Sequence, residues 1–134
     1  MTVDIVARDE LLVRPLTAVL ATSWTRGRIH AVPVWYRFSE GTFRILTERG
    51  SQKHRNALRS GRATLCIDER EQLYRFVMVE GGVTVVDPVS YEQRLALHVH
   101  YRGESAAHRI VDAGGHEKMV MLVLHPERWL DRGS

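Results

Sequence analysis

The fold of this chain is decided by the stretch Thr47-Glu48-Arg49-Gly50-Ser51-Gln52-Lys53-His54-Arg55-Asn56. A predicted strand ends at its start, a glycine turns the chain, and Ser51 is a good N-cap for a short helix through about Leu58. The first turn of a helix offers unpaired backbone N–H groups and a partial positive charge, which together favour anions. Lys53 lies in that turn, where a cation opposes the helix dipole. This local conflict indicates an anion-binding site, with a solvated basic surface helix as the alternative on residue types alone.

The chain as a whole has the composition of a single globular domain, residues 1–134. It is 44% hydrophobic and 26% charged, which excludes a disordered, collagenous or coiled-coil chain. No apolar run approaches the length of a membrane span, and Met1–Glu10 does not resemble a signal peptide. The single cysteine, Cys66, can form neither an internal disulfide nor a cysteine metal cluster. We therefore expect a cytoplasmic protein.

Arginine supplies most of the positive charge. Among the 19 basic residues the only lysines are Lys53 and Lys118, so the other 17 are arginines, and the formal net charge is +3. The planar guanidinium fork suits phosphates and carboxylates, which indicates anionic partners. A genomic preference for arginine codons is the alternative explanation for the excess as a whole.

Turn residues divide the chain into six predicted strands. Their ranges are Leu16–Trp24, Ile29–Phe38, Thr42–Thr47, Arg62–Asp68, Leu73–Val86 and Met119–Leu124. Positions 32, 34, 36 and 38 share one face of the second strand, and positions 43, 45 and 47 share one face of the third. The first three strands are closely spaced and predict an antiparallel meander. So many short strands favour a closed or partly closed barrel, because closure removes exposed strand edges.

Short helices are predicted between these strands. One spans Asp9–Val13, and another is the helix after Ser51, which Ser60-Gly61 ends. A third has Asp87 as N-cap and Pro88 at its first position, runs to about Tyr101, and places Tyr91, Leu95 and Val99 on one stripe. The fourth spans Glu104–Ala113. Within the fifth strand, Gly81-Gly82 predicts a bulge or bend.

Four segments together resemble the FMN-binding split barrel of the pyridoxamine 5'-phosphate oxidase-like superfamily. They are the opening stretch 47–56, Arg62–Asp68, Ala31–Tyr36 and Tyr74–Gly81. The combination is most similar to the branch of actinobacterial oxidoreductases that use the deazaflavin coenzyme F420. The resemblance runs from about Leu16 to Leu130. It implies a mainly β fold: a six-stranded antiparallel split β-barrel of Greek-key type with short flanking helices.

The resemblance also implies a cofactor site at the interface of a homodimer. The cofactor phosphate is expected at Arg49, Ser51 and Lys53, with Arg55 and Asn56 nearby. The tricyclic ring is expected along the backbone of Val32, Pro33, Val34 and Trp35 and the side chain of Thr47. Tyr74, Arg75 and Phe76 are expected either from the partner subunit or at the edge of the ring. The glutamate tail of coenzyme F420 extends the demand for cations toward Arg44, Arg59 or Arg62.

The implied activity is that of an oxidoreductase. Reduced coenzyme F420 would pass a hydride to a conjugated small-molecule substrate, with no metal, nucleic acid or membrane involved. The alternatives are an FMN-dependent flavoprotein of the same superfamily and a non-catalytic cofactor-binding or haem-binding barrel. A small basic barrel that binds single-stranded nucleic acid is disfavoured, because the basic residues lie at one junction and no aromatic ladder follows a groove. No strand–helix–strand unit with a Gly-rich loop suits a dinucleotide.

The remaining reactive side chains have simpler interpretations. His98, His100 and His108 are expected to be ordinary helix residues, since positions 98 and 100 face different sides of a helix. Cys66 lies in an apolar strand and is expected to be a buried, unactivated thiol. The tryptophans Trp24, Trp35 and Trp129 are expected to fill the core, although Trp35 could also shape a substrate pocket. His30 and Tyr36 are candidate proton donors, and no catalytic residue is assigned.

Overall fold

Seven strands form one antiparallel sheet in the computed structural model, which describes residues 5–70 and 75–133 and side chains up to residue 130. The strands are β1 (Ala18–Ser23), β2 (Ile29–Val34), β3 (Arg37–Ser39), β4 (Thr42–Glu48), β5 (Arg62–Glu69), β6 (Arg75–Val86) and β7 (Met119–Gly133). The helices are α1 (Ile5–Leu12), α2 (Gln52–Ser60), α3 (Tyr91–Arg102) and α4 (Glu104–Asp112). Single 3₁₀ turns lie at Thr25–Gly27 and His116–Lys118.

The sheet is curled so that its two edges approach each other. Its strand order is β2-β1-β5-β6-β7-β4-β3, so β2 and β3 are the edge strands. Only Trp35 and Tyr36 connect them. The three steps from Val34 to Arg37 span at most about 11 Å, which a flat sheet of this order could not accommodate. The predicted mainly β, antiparallel split-barrel class is therefore confirmed, with seven strands instead of six.

The extra strand arises because the predicted strand Ile29–Phe38 is broken in two. β2 pairs with β1 and β3 pairs with β4, at opposite ends of the sheet order. The predicted meander of three adjacent strands is therefore wrong, although each hairpin is antiparallel as expected. At the break the Tyr36 backbone N–H donates to Tyr101 Oη over 2.9 Å. A side chain from α3 thus replaces the lost ladder bond.

The predicted inward faces are confirmed. Phe43, Ile45 and Thr47 are all buried on β4, and Tyr36 is fully buried. The main core consists of residues such as Leu20, Val34, Leu65, Ile67, Val79, Leu122 and Leu124. The predicted bulge is also present, since the β6–β7 register shifts between Glu80 and Gly81. A Cβ at Gly81 would lie 1.8 Å from the His125 carbonyl oxygen, so glycine is required there.

The α3 prediction needs two corrections. The helix starts at Tyr91 with Ser90 as N-cap, because Ser90 and Gln93 form a reciprocal capping box, whereas Asp87 and Pro88 precede it in a non-helical turn. Its buried residues are Arg94 and Leu97, not the predicted stripe. Tyr91 is 43% exposed, and Leu95 and Val99 are half-buried.

Two other predicted elements are longer in the structure. The first helix is Ile5–Leu12 instead of Asp9–Val13, and β7 continues to Gly133 beyond the predicted end at Leu124, because it pairs with the whole of β6. Among the described residues no helix is long and apolar enough to cross a membrane. The cytoplasmic location stays a prediction.

Candidate cofactor site

The junction between β4 and α2 is built by short-range hydrogen bonds. Gly50 has φ +85, a left-handed conformation that favours glycine, and its N–H donates to His54 Nδ1 over 2.9 Å. Ser51 Oγ accepts from the His54 N–H at 3.4 Å, as predicted for an N-cap, and lies 2.9 Å from Thr47 Oγ1. The structure therefore brings the predicted residues Thr47 and Ser51 together at the start of α2.

Free donors and a free cation meet at this helix start. Within residues 5–70 and 75–130, the backbone N–H groups of Gln52 and Lys53 have no acceptor, and the half-buried Lys53 side chain has no ion-pair partner. Amide donors aligned with the positive end of a helix dipole bind anions, and a neighbouring ammonium strengthens that preference. The junction can thus hold a phosphate or a carboxylate.

Arg49 is already held by a carboxylate. Its Nε lies 3.1 Å from Asp87 Oδ2 and its Nη2 lies 2.5 Å from Asp87 Oδ1, while Nη1 donates to the Glu117 carbonyl oxygen. These hydrogen bonds lower the pKa of Asp87 below its ordinary value and raise that of Arg49. To bind a phosphate, Arg49 would have to exchange Asp87 for it. Its predicted role as a ligand stays a prediction.

Arg55 and Asn56 differ in exposure although they are neighbours on α2. Arg55 is exposed, and its Nη2 donates to Gln52 Oε1 over 2.5 Å. Asn56 is fully buried and donates from Nδ2 to Thr22 Oγ1 at 3.1 Å. Its Oδ1 accepts from Gln52 Nε2 at 2.7 Å and from Arg59 Nη1 at 3.1 Å. Asn56 therefore fastens α2 to β1, whereas Arg55 remains on the accessible surface.

The predicted ring-binding wall is an edge strand. Val32, Pro33 and Val34 pair with β1 on one side only, so the other side of the β2 backbone is not part of a ladder. Pro33 is exposed and lacks an N–H, which suits an edge. Trp35 is 36% exposed, so it is not the core filler that its residue type predicts. The strand offers apolar side chains and unpaired backbone groups to a flat ligand.

Trp35 is positioned by α3. Its ring stacks on that of Tyr101 with centroids 4.4 Å apart and an interplanar angle of 2°, and the Arg102 guanidinium lies 4.8 Å from its centroid. Tyr101 Oη lies 2.6 Å from the Leu16 carbonyl oxygen and 2.9 Å from that of Tyr36. Burial raises the pKa of Tyr101 to about 12, so the hydroxyl keeps its proton as a donor. Sequence reasoning placed Tyr101 on a helix but missed this contact.

Arg75 and Phe76 lie far from the junction within one chain. Thr47 of β4 pairs with Val120 of β7. The next residue of β7, Met121, pairs with Val86, which is the last residue of β6. Arg75 is at the start of β6, about 36 Å away along that strand. Arg75 is also paired with Glu69 at 2.5 Å. Within one chain Arg75 and Phe76 are therefore remote from the β4–α2 junction, and their place at the ring edge, in the same chain or from a partner subunit, stays a prediction. Tyr74 lies outside the described residues.

The other candidate cations have internal partners. Arg44 pairs with Glu40 at 3.3 Å, Arg62 pairs with Glu127 at 3.2 Å, and Arg59 donates to the Ser23 carbonyl oxygen as well as to Asn56. Their predicted contact with a glutamate tail is not tested by these contacts.

The candidate proton donors differ in access. Tyr36 is fully buried, burial raises the pKa of its hydroxyl, and Oη has no hydrogen-bond partner among the described residues. His30 is half-buried and packs edge-on against Trp24 with centroids 5.6 Å apart. His30 is the more accessible of the two, although its Nδ1 is buried and has no hydrogen-bond partner among the described residues, and the proton donor stays unassigned.

The remaining reactive residues have no shared site. Burial raises the pKa of the half-buried Cys66 thiol, so it stays protonated. Across residues 5–70 and 75–130, no three His, Cys, Asp or Glu side chains are grouped so as to hold a metal ion. His108 instead lies near Tyr91 and Asp112 on the exposed side of α3 and α4. Trp129 packs on the core against Phe43, with ring centroids 5.9 Å apart.

A curled antiparallel sheet with a short helix across one end defines a split-barrel domain. A family model described as pyridoxamine 5'-phosphate oxidase matches residues 7–133. The chain belongs to this family.

Solved structures of the same fold have diverse names. An F420 reductase has a TM-score of 0.76 at 23% identity, covering 91% of this chain and 94% of its own. A FAD-binding protein from Mesorhizobium loti has a TM-score of 0.72 at 18% identity, covering 98% and 95%. The haem storage protein HutZ from Vibrio cholerae has a TM-score of 0.74 at 16% identity, covering 99% and 96%. No curated protein matches the chain significantly. Because these identities are low, the structures establish the fold alone.

Proposed function

We propose that this protein is an oxidoreductase that binds coenzyme F420 at the β4–α2 junction and reduces a conjugated small-molecule substrate. The observation that carries the proposal is the Lys53 ammonium, which has no ion-pair partner within the described part of the chain, beside the N–H groups of Gln52 and Lys53, which have no acceptor there. Family membership and the F420 reductase of the same fold support it. FMN is the second candidate cofactor, because the family is described by an oxidase of pyridoxamine 5'-phosphate and includes flavin-binding folds.

The residues present fit a phosphorylated tricyclic cofactor. The start of α2 would hold the phosphate through amide N–H groups and Lys53, with the Ser51 and Thr47 hydroxyls alongside. The free edge of β2 would lie along the ring, and its apolar side chains would exclude water. When bound in its reduced form, the deazaflavin supplies a hydride from its C5. The chain orients the substrate beside it, and His30 or solvent supplies the accompanying proton.

A second copy of the chain would complete the site. Arg75 and Phe76 are separated from their own junction by the length of β6, and in the homodimer that we propose they face the junction of the partner. The functional unit we propose is therefore a homodimer with the cofactor at the interface.

The test is a side-by-side titration with F420 and FMN. We expect the protein to quench F420 fluorescence and to bind FMN more weakly. Lys53→Ala removes a charge-assisted contact worth about 1.5–3 kcal/mol, which is roughly a 10- to 150-fold loss of affinity. Arg109→Ala is the matched control, since Arg109 is an exposed cation on α4 whose side chain donates to Ser105.

Each outcome has a distinct meaning. Tighter binding of FMN would replace F420 with the second candidate. Binding of haem alone, or of F420 without reduction of any conjugated acceptor, would contradict an oxidoreductase. An unchanged titration of Lys53→Ala would show that the phosphate lies elsewhere.

A further inference from the structure

A groove separates α3 from the outer face of β3 and β4. Two adjoining cavities of about 270 and 380 Å³ open along it and share Arg37, Glu92 and Ala96. We define the α3 groove by the side chains of Arg37, Arg44, Glu92, Leu95, Ala96 and Val99. Small-molecule sites in proteins begin at about 300 Å³. The groove is therefore large enough for a compact ligand of about a dozen heavy atoms, at roughly 30 Å³ each.

The helix side of the α3 groove carries both apolar and polar side chains, since Glu92, Gln93 and His100 line the cavities beside the apolar residues. Leu95, Ala96 and Val99 are half-buried and line the larger cavity. Leu97 and Met121 form the wall of the smaller one and are buried. Because Leu95 and Val99 point into the groove instead of the core, the helix leaves an apolar surface that a ligand can cover.

One cation in the α3 groove lacks a partner. Arg37 is half-buried and lines both cavities, yet within residues 5–70 and 75–130 no carboxylate lies within 4.0 Å of it. Glu92 lines the same cavities without reaching it. A half-buried guanidinium on an apolar wall is costly unless an anion pairs with it.

A cation on the neighbouring strand β4 makes the lack of an anion beside Arg37 more costly. Arg37 lies directly opposite Arg44 in the β3–β4 register, and like charges in that position repel. Arg44 is turned toward Glu40 at 3.3 Å, but the Glu40 side chain is 82% exposed, so the compensation is weak. An added carboxylate would reduce the repulsion and pair with Arg37.

We propose that the α3 groove binds a small monocarboxylic acid with an apolar body. The carboxylate pairs with the Arg37 guanidinium, and the apolar body lies along Leu95, Ala96 and Val99. The site is separate from the cofactor junction: Arg44 precedes Arg49 by five residues, about 16 Å along β4, and lies on the opposite face of the strand from Thr47. The proposal therefore does not depend on which cofactor the junction binds.

The test uses octanoate as the probe, with octan-1-ol, octylammonium and acetate as matched compounds. By isothermal titration, we expect octanoate to bind the full chain at least tenfold more tightly than the alcohol. Octylammonium and acetate should bind more weakly still. Arg37→Gln should lower octanoate affinity at least tenfold, whereas Arg109→Gln, a change of the same kind on the exposed side of α4, should leave it unchanged. Saturating FMN, which has no glutamate tail, should not displace octanoate.

A second variant and a mapping experiment locate the site. Ala96→Trp fills the groove from the half-buried face of α3 and should abolish binding while the circular dichroism spectrum is retained. Amide chemical shifts should change in β3 and α3. Equal affinity for octanoate and octanol, unchanged binding by Arg37→Gln, or shift changes concentrated elsewhere would each overturn the proposal. So would dissociation of a homodimer by Ala96→Trp, because the groove would then belong to the subunit interface.

Discussion

The Tyr101 hydroxyl is the contact whose removal tests the architecture most directly. Tyr101→Phe deletes only the oxygen that accepts from the Tyr36 N–H at 2.9 Å and lies 2.6 Å from the Leu16 carbonyl oxygen. The phenyl ring is kept, so the stacking on Trp35 is kept as well. The variant therefore isolates the hydrogen bonds that join α3 to the β2–β3 connection at Tyr36 and to the segment at Leu16.

The size of the effect follows from the burial of those groups. A buried N–H left without an acceptor costs about 1–3 kcal/mol, and the lost donor to a carbonyl contributes about 1 kcal/mol more. We expect Tyr101→Phe to lower the free energy of unfolding by about 2–4 kcal/mol. At about 4 °C per kcal/mol for a domain of this size, the Tm should fall by about 8–16 °C.

The assay is urea unfolding followed by Trp fluorescence, with a calorimetric scan for Tm. Tyr91→Phe is the matched control on the same helix, because the Tyr91 hydroxyl donates to Asp112 at the exposed surface over 2.7 Å. We expect little change there. If the two variants unfold at the same urea concentration, the hydrogen bonds of the Tyr101 hydroxyl to Tyr36 and Leu16 do not contribute to stability, and the reasoning is refuted.

Three further substitutions test the junction. Asn56→Ala leaves the buried Thr22 hydroxyl without its donor and should lower the free energy of unfolding in urea by about 2–3 kcal/mol. A decrease below about 0.5 kcal/mol would contradict the conclusion that Asn56 holds α2 against β1. Ser51→Ala removes the N-cap of α2 and should cost about 0.5–2 kcal/mol, with Ser51→Gly closer to wild type. Asp87→Asn should tighten binding of inorganic phosphate, because Arg49 is released. Since Arg49 lowers the pKa of Asp87 in the folded state, the pair stabilises above the ordinary aspartate pKa of about 3.9, and that stability is lost as the pH falls through the lower folded value. The stability of Asp87→Asn should consequently fall less than that of wild type between pH 5 and pH 2, and identical acid profiles would exclude this contribution.

Local features were predictable because they depend on residues within a few positions of one another. Ser51 caps α2, Gly61 ends it in a left-handed conformation, and Gly81 lies at a bulge, all as the residue types indicate. The inward face of β4 follows equally from the alternation of Phe43, Ile45 and Thr47. These elements are specified by side-chain periodicity and by turn chemistry.

Contacts between distant residues were not predictable in the same way. Arg49 meets Asp87 across 38 positions, and Tyr101 meets Tyr36 across 65. Asp87 was expected to cap α3, since residue type alone does not distinguish a helix cap from an ion-pair partner. Which role applies depends on which strands become neighbours in space.

The sequence by itself determined most of the strands, the turn at Gly50 and the cationic start of α2, but not the break between β2 and β3. Only the tertiary structure decided which of the predicted ligands are available. It buries Asn56 against β1, pairs Arg49 with Asp87, and leaves Lys53 without a partner among the described residues. The physical reason is that periodicity and capping act within about one helical turn or strand step, whereas ion pairing and burial depend on how the sheet curls.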